Sequence, residues 1–340
     1  MSQPPPAPRA GIFTTRRAAF AGAITLLIIG GVSLAGLMIG AVSLTLTETW
    51  AALHHGPNAF IVVDYRLPRV IVSALAGAAF GLAGVFLQGA LRNPLASPDV
   101  VGITKWAALG AFVMGLVLPP DWTGWAVPLG VVTGGAMGAV LLLTIGARLG
   151  GGAGGLVLTG VALGLMAQAM MQYVMVLFPT RADQAMVWLA GSVYGSTWAE
   201  VTGLTLWLMA CLPFIVLAAS QLDAAGFSDD TLVSLGITPR RLRGGLIVMS
   251  MLLASGAVLM VGSMGFLGLI APHAARLLVG PRASHVVPLS ALMGALILSA
   301  ADLTGRIVAL PNEIPAGIVA AVIGGPYLVF LLLKEGRRNG

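Results

Sequence analysis

Charge is scarce in this sequence. Only 9% of its 340 residues are Asp, Glu, Lys or Arg, against ~25% in soluble domains. So little charge cannot cover a water-exposed surface, which excludes a soluble globular fold. Lysine is rarer still: Lys105 and Lys334 are the only two. A phosphate-binding loop of the form G-x-x-x-x-G-K-[ST] needs its lysine to reach the phosphates. Here Lys105 follows Thr104 and Lys334 follows Leu333, so neither belongs to such a loop, and any ATP that drives this protein must bind another chain. The single cysteine, Cys211, excludes an intrachain disulfide. The four histidines, His54, His55, His273 and His285, do not fall at H-E-x-x-H spacing, and no G-x-S-x-G elbow occurs. Nothing therefore groups into a catalytic centre.

What the sequence has in excess is apolar length and glycine. Hydrophobic residues make up 58% of the chain, and 46 residues are glycine. Apolar runs of about twenty residues are bilayer-spanning helices, whereas a transmembrane barrel shows short alternating segments. The fold class is an all-α polytopic membrane protein. Ten spans are expected, roughly 19–46, 68–91, 99–118, 125–148, 155–178, 199–220, 244–262, 265–279, 287–307 and 314–334. Residues 1–18, rich in Pro and Arg, read as a disordered cytoplasmic tail, and 19–340 as one transmembrane domain. Residues 47–65 read as a polar outer loop, and a short outer helix is expected near 184–196. The net charge of +6 is dispersed between the apolar runs, as topology signals are. With both termini inside, most basic residues fall in inner segments. Arg66, Arg69, Arg181 and Arg306 fall outside, and Lys105 falls within a span.

The stretch Arg66–Leu109 is the most informative. Arg66-Leu67-Pro68-Arg69 opens an apolar run carrying Gly77, Gly81 and Gly84, whose spacing lets a second helix approach closely. Pro94 and Pro98 then force a turn, because proline cannot continue a helix and restricts the residue before it. Later blocks are Gly265-Phe266-x-Gly268-Leu269-Ile270-x-Pro272-His273-x-x-Arg276, Ala301-Asp302-x-x-x-Arg306, Glu313-x-Pro315-x-Gly317 and Gly324-x-Pro326. With Gln88, Asn93-Pro94-Leu95-Ala96 and Gly102-Ile103-Thr104, these motifs resemble the permease family of bacterial ABC importers for iron-siderophores, haem and cobalamin, the FecCD type with the type II importer fold. The resemblance runs from about Thr47 to Arg338.

The resemblance implies a homodimer in the bacterial inner membrane. Two ATP-binding subunits would dock inside, carrying ATP and Mg, and a solute-binding protein outside; this chain itself would bind no cofactor or metal. Arg66, Arg69 and Arg306 match the positions that dock the binding protein, and Asn93, Pro94 and Leu95 the cytoplasmic gate. The polar segment 221–243 matches the loop that couples to the ATPase, with Asp229, Asp230, Leu235, Gly236 and Arg240 as its candidate residues. Its two Asp residues open a short helix at 231–235, Gly236 ends it, and Pro239 opens a second short one. Gln168 and Gln172, four apart and so on one helix face, join Gln88 as candidates for the translocation path, although interhelical hydrogen bonding accounts for them equally well. The segment Val187-Trp188-Leu189-Ala190-Gly191-Ser192-x-Tyr194-Gly195 is most like the siderophore members; haem and cobalamin stay open.

Two departures from the family stand out. Trp106 occupies a position that is usually small. Lys105 is an ionisable residue inside a span, hence a functional candidate, though at about two turns from the inner end of its helix it can also snorkel to the interface. A third difference is Gly151-Gly152-Ala153-Gly154-Gly155, where some members carry hydroxyl residues of a second gate. Asp302 and Arg306, four apart, can pair. A secondary transporter would need a coupling-ion site near the midplane, and no carboxylate is expected near a span centre.

Overall fold

The computed structural model describes residues 15–118, 123–149, 153–179, 186, 188–309 and 312–339. Arg181, Val187, Gly151 and Gly152 lie outside the described residues. The described residues are helical with no strand. The helices are α1 (Thr15–Met38), α2 (Leu46–Leu53), α3 (Leu67–Leu91), α4 (Ile103–Val117), α5 (Thr123–Arg148), α6 (Ala153–Leu177), α7 (Trp198–Ala225), α8 (Asp229–Ser234), α9 (Pro239–Val261), α10 (Leu267–Val279), α11 (Ala283–Val308) and α12 (Ala316–Asn339). Seven have the length and apolarity to cross a membrane: α1, α3 with its leading turn, α5, α6, α7, α9 and α11. Helices α4, α10 and the apolar part of α12 are shorter.

Helix α3 is the axis of the bundle, packed against α9, α10, α11 and α7. Its glycines make that possible. A Cβ on Gly77 would run into the Gly294 carbonyl of α11, and one on Gly84 into the Gly268 carbonyl of α10. Backbone therefore meets backbone, which gains dispersion contact where lipid offers no hydrophobic drive. Helix α1 is the opposite case. Its window is only 6% buried, and Phe20, Leu26 and Leu27 are exposed, as lipid-facing side chains are.

Four segments depart from expectation. The first helix ends at Met38 rather than near 46. The expected loop 47–65 is mostly helical: α2 starts at a capping box in which Thr45 accepts from the Glu48 backbone and Glu48 answers to the Thr45 N–H at 2.7 Å, and residues Phe60–Arg66 form a π-helical turn leading into α3. Helix α2 carries no apolar periodicity, because Leu46 and Trp50 are exposed while Thr49 is buried and donates to the Thr45 carbonyl at 2.9 Å. Third, Pro239 does not open a short separate helix; α9 runs unbroken to Val261, since proline at its first turn costs nothing.

The fourth concerns α4, which begins at Ile103 and not at 99. Residues 92–102 leave the end of α3 and climb without regular helix into the bundle. Gly102, at φ +84°, ends this climb pressed against Gly164 of α6, where a side chain would be both strained and blocked. Irregular backbone at such depth is stable only when covered by protein, and Ala96, Ser97 and Val101 are buried.

Candidate functional site

Three places on this frame carry polar chemistry: each end of the bundle and a cavity between them.

At the end where α3 begins, Arg66, Arg69 and Arg306 are 8, 9 and 3% exposed. The sequence suggests exposed cations; the structure buries all three, pairing Arg69 and Arg306 with carboxylates and Arg66 with backbone carbonyls. Arg69 bridges Asp302 at 2.7 Å and Glu313 at 2.7 Å, and lies over the Tyr194 ring at 5.6 Å. Arg306 pairs with Asp302, as their spacing implied, and donates to the Gly36 carbonyl at 2.9 Å. Arg66 donates to the Leu37 and Met38 carbonyls at 2.7 and 3.0 Å and to that of Val42. The carbonyls of Gly36, Leu37 and Met38 belong to the last turn of α1, which has no basic residue of its own. Two distant arginines therefore satisfy its orphan acceptors and complement its dipole. Beside them opens a cavity of about 520 Å³, reached by Tyr65, Tyr194 and Glu313.

At the opposite end, Arg92 closes α3 in the left-handed conformation, φ +47°. The next residue, Asn93, accepts the Leu95 N–H at 2.8 Å, closing the expected proline turn. Arg92 also donates to the Ala225 carbonyl at 2.8 Å and pairs with Asp229 at 2.9 Å. Asp229 holds Arg243 of α9 at 2.6 Å as well. One carboxylate on α8 thus ties together the end of α3, the end of α7 and the start of α9. Asp230, Leu235, Gly236 and Arg240 are exposed, as are Val233 and Phe227. The sequence does not mark Arg92 or Arg243 as site residues: Arg243 is one of three arginines in Arg240-Arg241-Leu242-Arg243, and only the fold brings Arg92 to Asp229.

Gln88 belongs to this end and not with the other two glutamines. It is 3% exposed, accepts from Arg276 and sits within reach of the Gly268 and Leu269 carbonyls. Gln168 and Gln172 instead line a cavity of about 570 Å³ with Asp99, Lys105 and Phe266. Lys105 donates to Gln168 Oε1 at 3.3 Å. Gln168 lies three residues past Leu165, the middle of α6. Lys105 is therefore at mid-bundle, which excludes snorkelling to the interface beside Asn93. The sequence places it nearer that end because it counts residues 99–102 as helix. Asp99, too, is a carboxylate brought to mid-depth by the irregular climb. Among the described residues no cluster of His, Cys, Asp or Glu could hold a metal.

Apolar helices of bilayer length around a polar mid-depth cavity, with ionic ties at both ends, define a multi-pass membrane permease. The chain belongs to the FecCD transport family, whose pattern matches residues 25–334. It is 45% identical over 280 residues to the Fe(3+)-citrate import system permease protein YfmE of Bacillus subtilis, covering 82% of this chain and 84% of that one. Two Escherichia coli proteins, the Fe(3+) dicitrate transport system permease proteins FecD and FecC, are each 34% identical, over 91% and 81% of this chain and 96% and 84% of their own lengths. The fold matches a solved inward-facing structure assigned to the metal-chelate type of ABC transporter, with TM-score 0.80 and 24% identity over 93% of this chain and 99% of that one. Permeases of this class carry no ATPase site of their own.

Proposed function

We propose that this chain is the membrane-spanning subunit of an ABC importer that moves a ferric chelate of the siderophore or citrate class into the cytoplasm, driven by separate ATPase subunits. In this reading all ten long or apolar helices cross the inner membrane, both termini are cytoplasmic, the Asn93 turn and α8 face the cytoplasm, and the arginine-bearing end faces outward. The observation that carries it is α8. This six-residue helix exposes Val233 and Leu235 beside Asp230 and Arg240, yet is fixed from beneath by Asp229. A small helix that is rigidly seated and apolar on its free side suits a cleft in another protein, and the sequence has no phosphate-binding loop to power transport alone. ATP and Mg belong to that partner. The relatives named for ferric citrate support iron over haem or cobalamin.

The pathway needs a second permease beside Gln168 and Gln172, which are exposed on α6 although lipid would not tolerate them cheaply. A second copy of this chain is the simplest partner. A related permease is a second reading, favoured because two permease proteins share the name of one ferric dicitrate system. Reconstitution with the ATPase and binding protein into liposomes should give ATP-dependent uptake of radioactive ferric chelate. Uptake that persists without the ATPase but follows an ion gradient would replace this reading with a secondary transporter.

A further inference from the structure

Lys105 is a cation where cations are expensive. It stands in the first turn of α4, at mid-bundle, and its neighbour across the cavity is an amide, Gln168, at 3.3 Å. Among the described residues it makes no ion pair. An ammonium has three donors, so two remain free for whatever enters. The Asp99 carboxylate shares the cavity and feels the Lys105 charge, but it forms no salt bridge with the ammonium. It accepts from Thr104 Oγ1 at 3.3 Å, and its other oxygen is packed 3.2 Å from where a Cβ on Gly265 would stand. The rest of the wall is soft and mostly uncharged: Met171, Met175 and Phe266.

An ionisable group at this depth is retained for a ligand, a relay or a structural pair. Among the described residues no salt bridge holds the ammonium, and a relay would need a second titratable group within hydrogen-bond reach of it, where the described residues place Gln168 alone. We propose that Lys105 makes the mid-bundle cavity selective for anionic, carboxylate-bearing chelates, with its ammonium meeting a ligand carboxylate and the amides of Gln168 and Gln172 flanking it from α6. This rests on the importer reading above and names the charge class of its cargo. One cation per chain, rather than a cluster, suits passage: attraction must be enough to admit the ligand and weak enough to release it. The thioethers and the Phe266 ring give no directional grip, so the remainder of the chelate can turn as it moves.

The test uses the complete complex with its ATPase and binding protein in liposomes. Two probes are compared, ferric citrate, which is anionic, and a neutral ferric hydroxamate of the ferrichrome class. Lys105→Gln should lower ferric citrate uptake by about tenfold, the effect of one lost interaction of ~1.4 kcal/mol, while hydroxamate uptake, if present in the wild type, falls far less. Lys105→Arg, which keeps the charge, should retain ferric citrate uptake, and Lys105→Glu should abolish it. Thermal melting of each variant separates loss of selectivity from loss of folding. If a folded Lys105→Gln imports ferric citrate as the wild type does, the inference is wrong and the importer reading stands. If the wild type imports neither probe with ATP, the importer reading falls first, and this one with it.

Discussion

Arg306 meets two needs at once: it neutralises Asp302 within its own helix and caps the Gly36 carbonyl of a helix far away in sequence. An exposed ion pair contributes only ~0.2–1 kcal/mol, and exposure would make these arginines dispensable to folding. Burial changes the arithmetic, because removing one partner leaves the other charge in a poor solvent, at ~3–5 kcal/mol. Arg306→Ala should therefore lower the melting temperature of the purified protein sharply, whereas Arg240→Ala, at an exposed site, should leave it unchanged. Equal melting of the two variants would show that the buried cluster is not paired in the membrane. Trp106 is the residue-scale counterpart in the core. Its indole is 3% exposed and fills the space over Gly138, where a Cβ would stand 2.8 Å from it. The large residue and the bare helix face are complementary, and the sequence displays only the first as an oddity.

At the scale of elements, the seating of α8 and the turn below α3 form one mechanical unit. Asp229 links α8 to Arg92 at 2.9 Å, and Arg92 directly precedes the Asn93–Leu95 turn. A displacement of α8 therefore pulls on the turn through a bond and not through loose chain. Gly236 ends α8 at φ +75° with open space around it. A Leu there meets no clash, but it strains the left-handed backbone that the turn requires. Gly236→Leu should insert normally, hydrolyse ATP with its partner and lose most uptake; normal uptake in liposomes would remove α8 from the coupling path. Leu95 offers the matching test of the proposed gate. With Cys211 replaced, a disulfide between cysteines at Leu95 of the two permease chains should block uptake and release it on reduction. Full crosslinking with undiminished transport would place the gate elsewhere. A homodimer also crosslinks from one variant, so the same gel tests a second copy against a related partner.

For the whole molecule, the buried arginine cluster redirects the docking proposal. Arg69, Arg306, Asp302 and Glu313 cancel in charge, and Arg66 is left as one cation solvated by carbonyls. In the proposed reading the surface offered to a binding protein is the mouth of the cavity at Tyr65, Tyr194 and Glu313, with the arginines fixing its shape and lending a modest positive field. Arg66→Gln with Arg69→Gln should weaken binding-protein association and flatten its salt dependence, since long-range steering is screened over ~8 Å at physiological salt. Measured across a salt series on nanodisc-embedded complex, an unchanged affinity would leave Arg66 with the capping of α1 and Arg69 with its Asp302 and Glu313 pairs.

How much of this was legible without coordinates follows from the range of each interaction. Apolar length, the glycine spacing of α3, the proline turn, the helix after Ser228 and the Asp302–Arg306 pair are local: each is written within a few residues, and each appears in the structure. Periodicity also placed the apolar helices to within a few residues, save where α1 stops early and residues 99–102 do not join α4. Contacts across the bundle were not legible. Which carbonyls Arg66 would cap, that Gln88 would turn to Arg276 while Gln168 met Lys105, and that an irregular climb would carry Asp99 and Lys105 to mid-depth all depend on close approach between helices far apart in sequence. The sequence by itself determined that this chain lives in a membrane as packed helices, because hydrophobic length and glycine spacing act along one helix at a time. Only the tertiary structure decided which of its few charges are spent on holding the bundle and which, Lys105 with Asp99 near it, face the mid-bundle cavity, because in a low-dielectric interior a charge is defined by the partner that three dimensions bring to it.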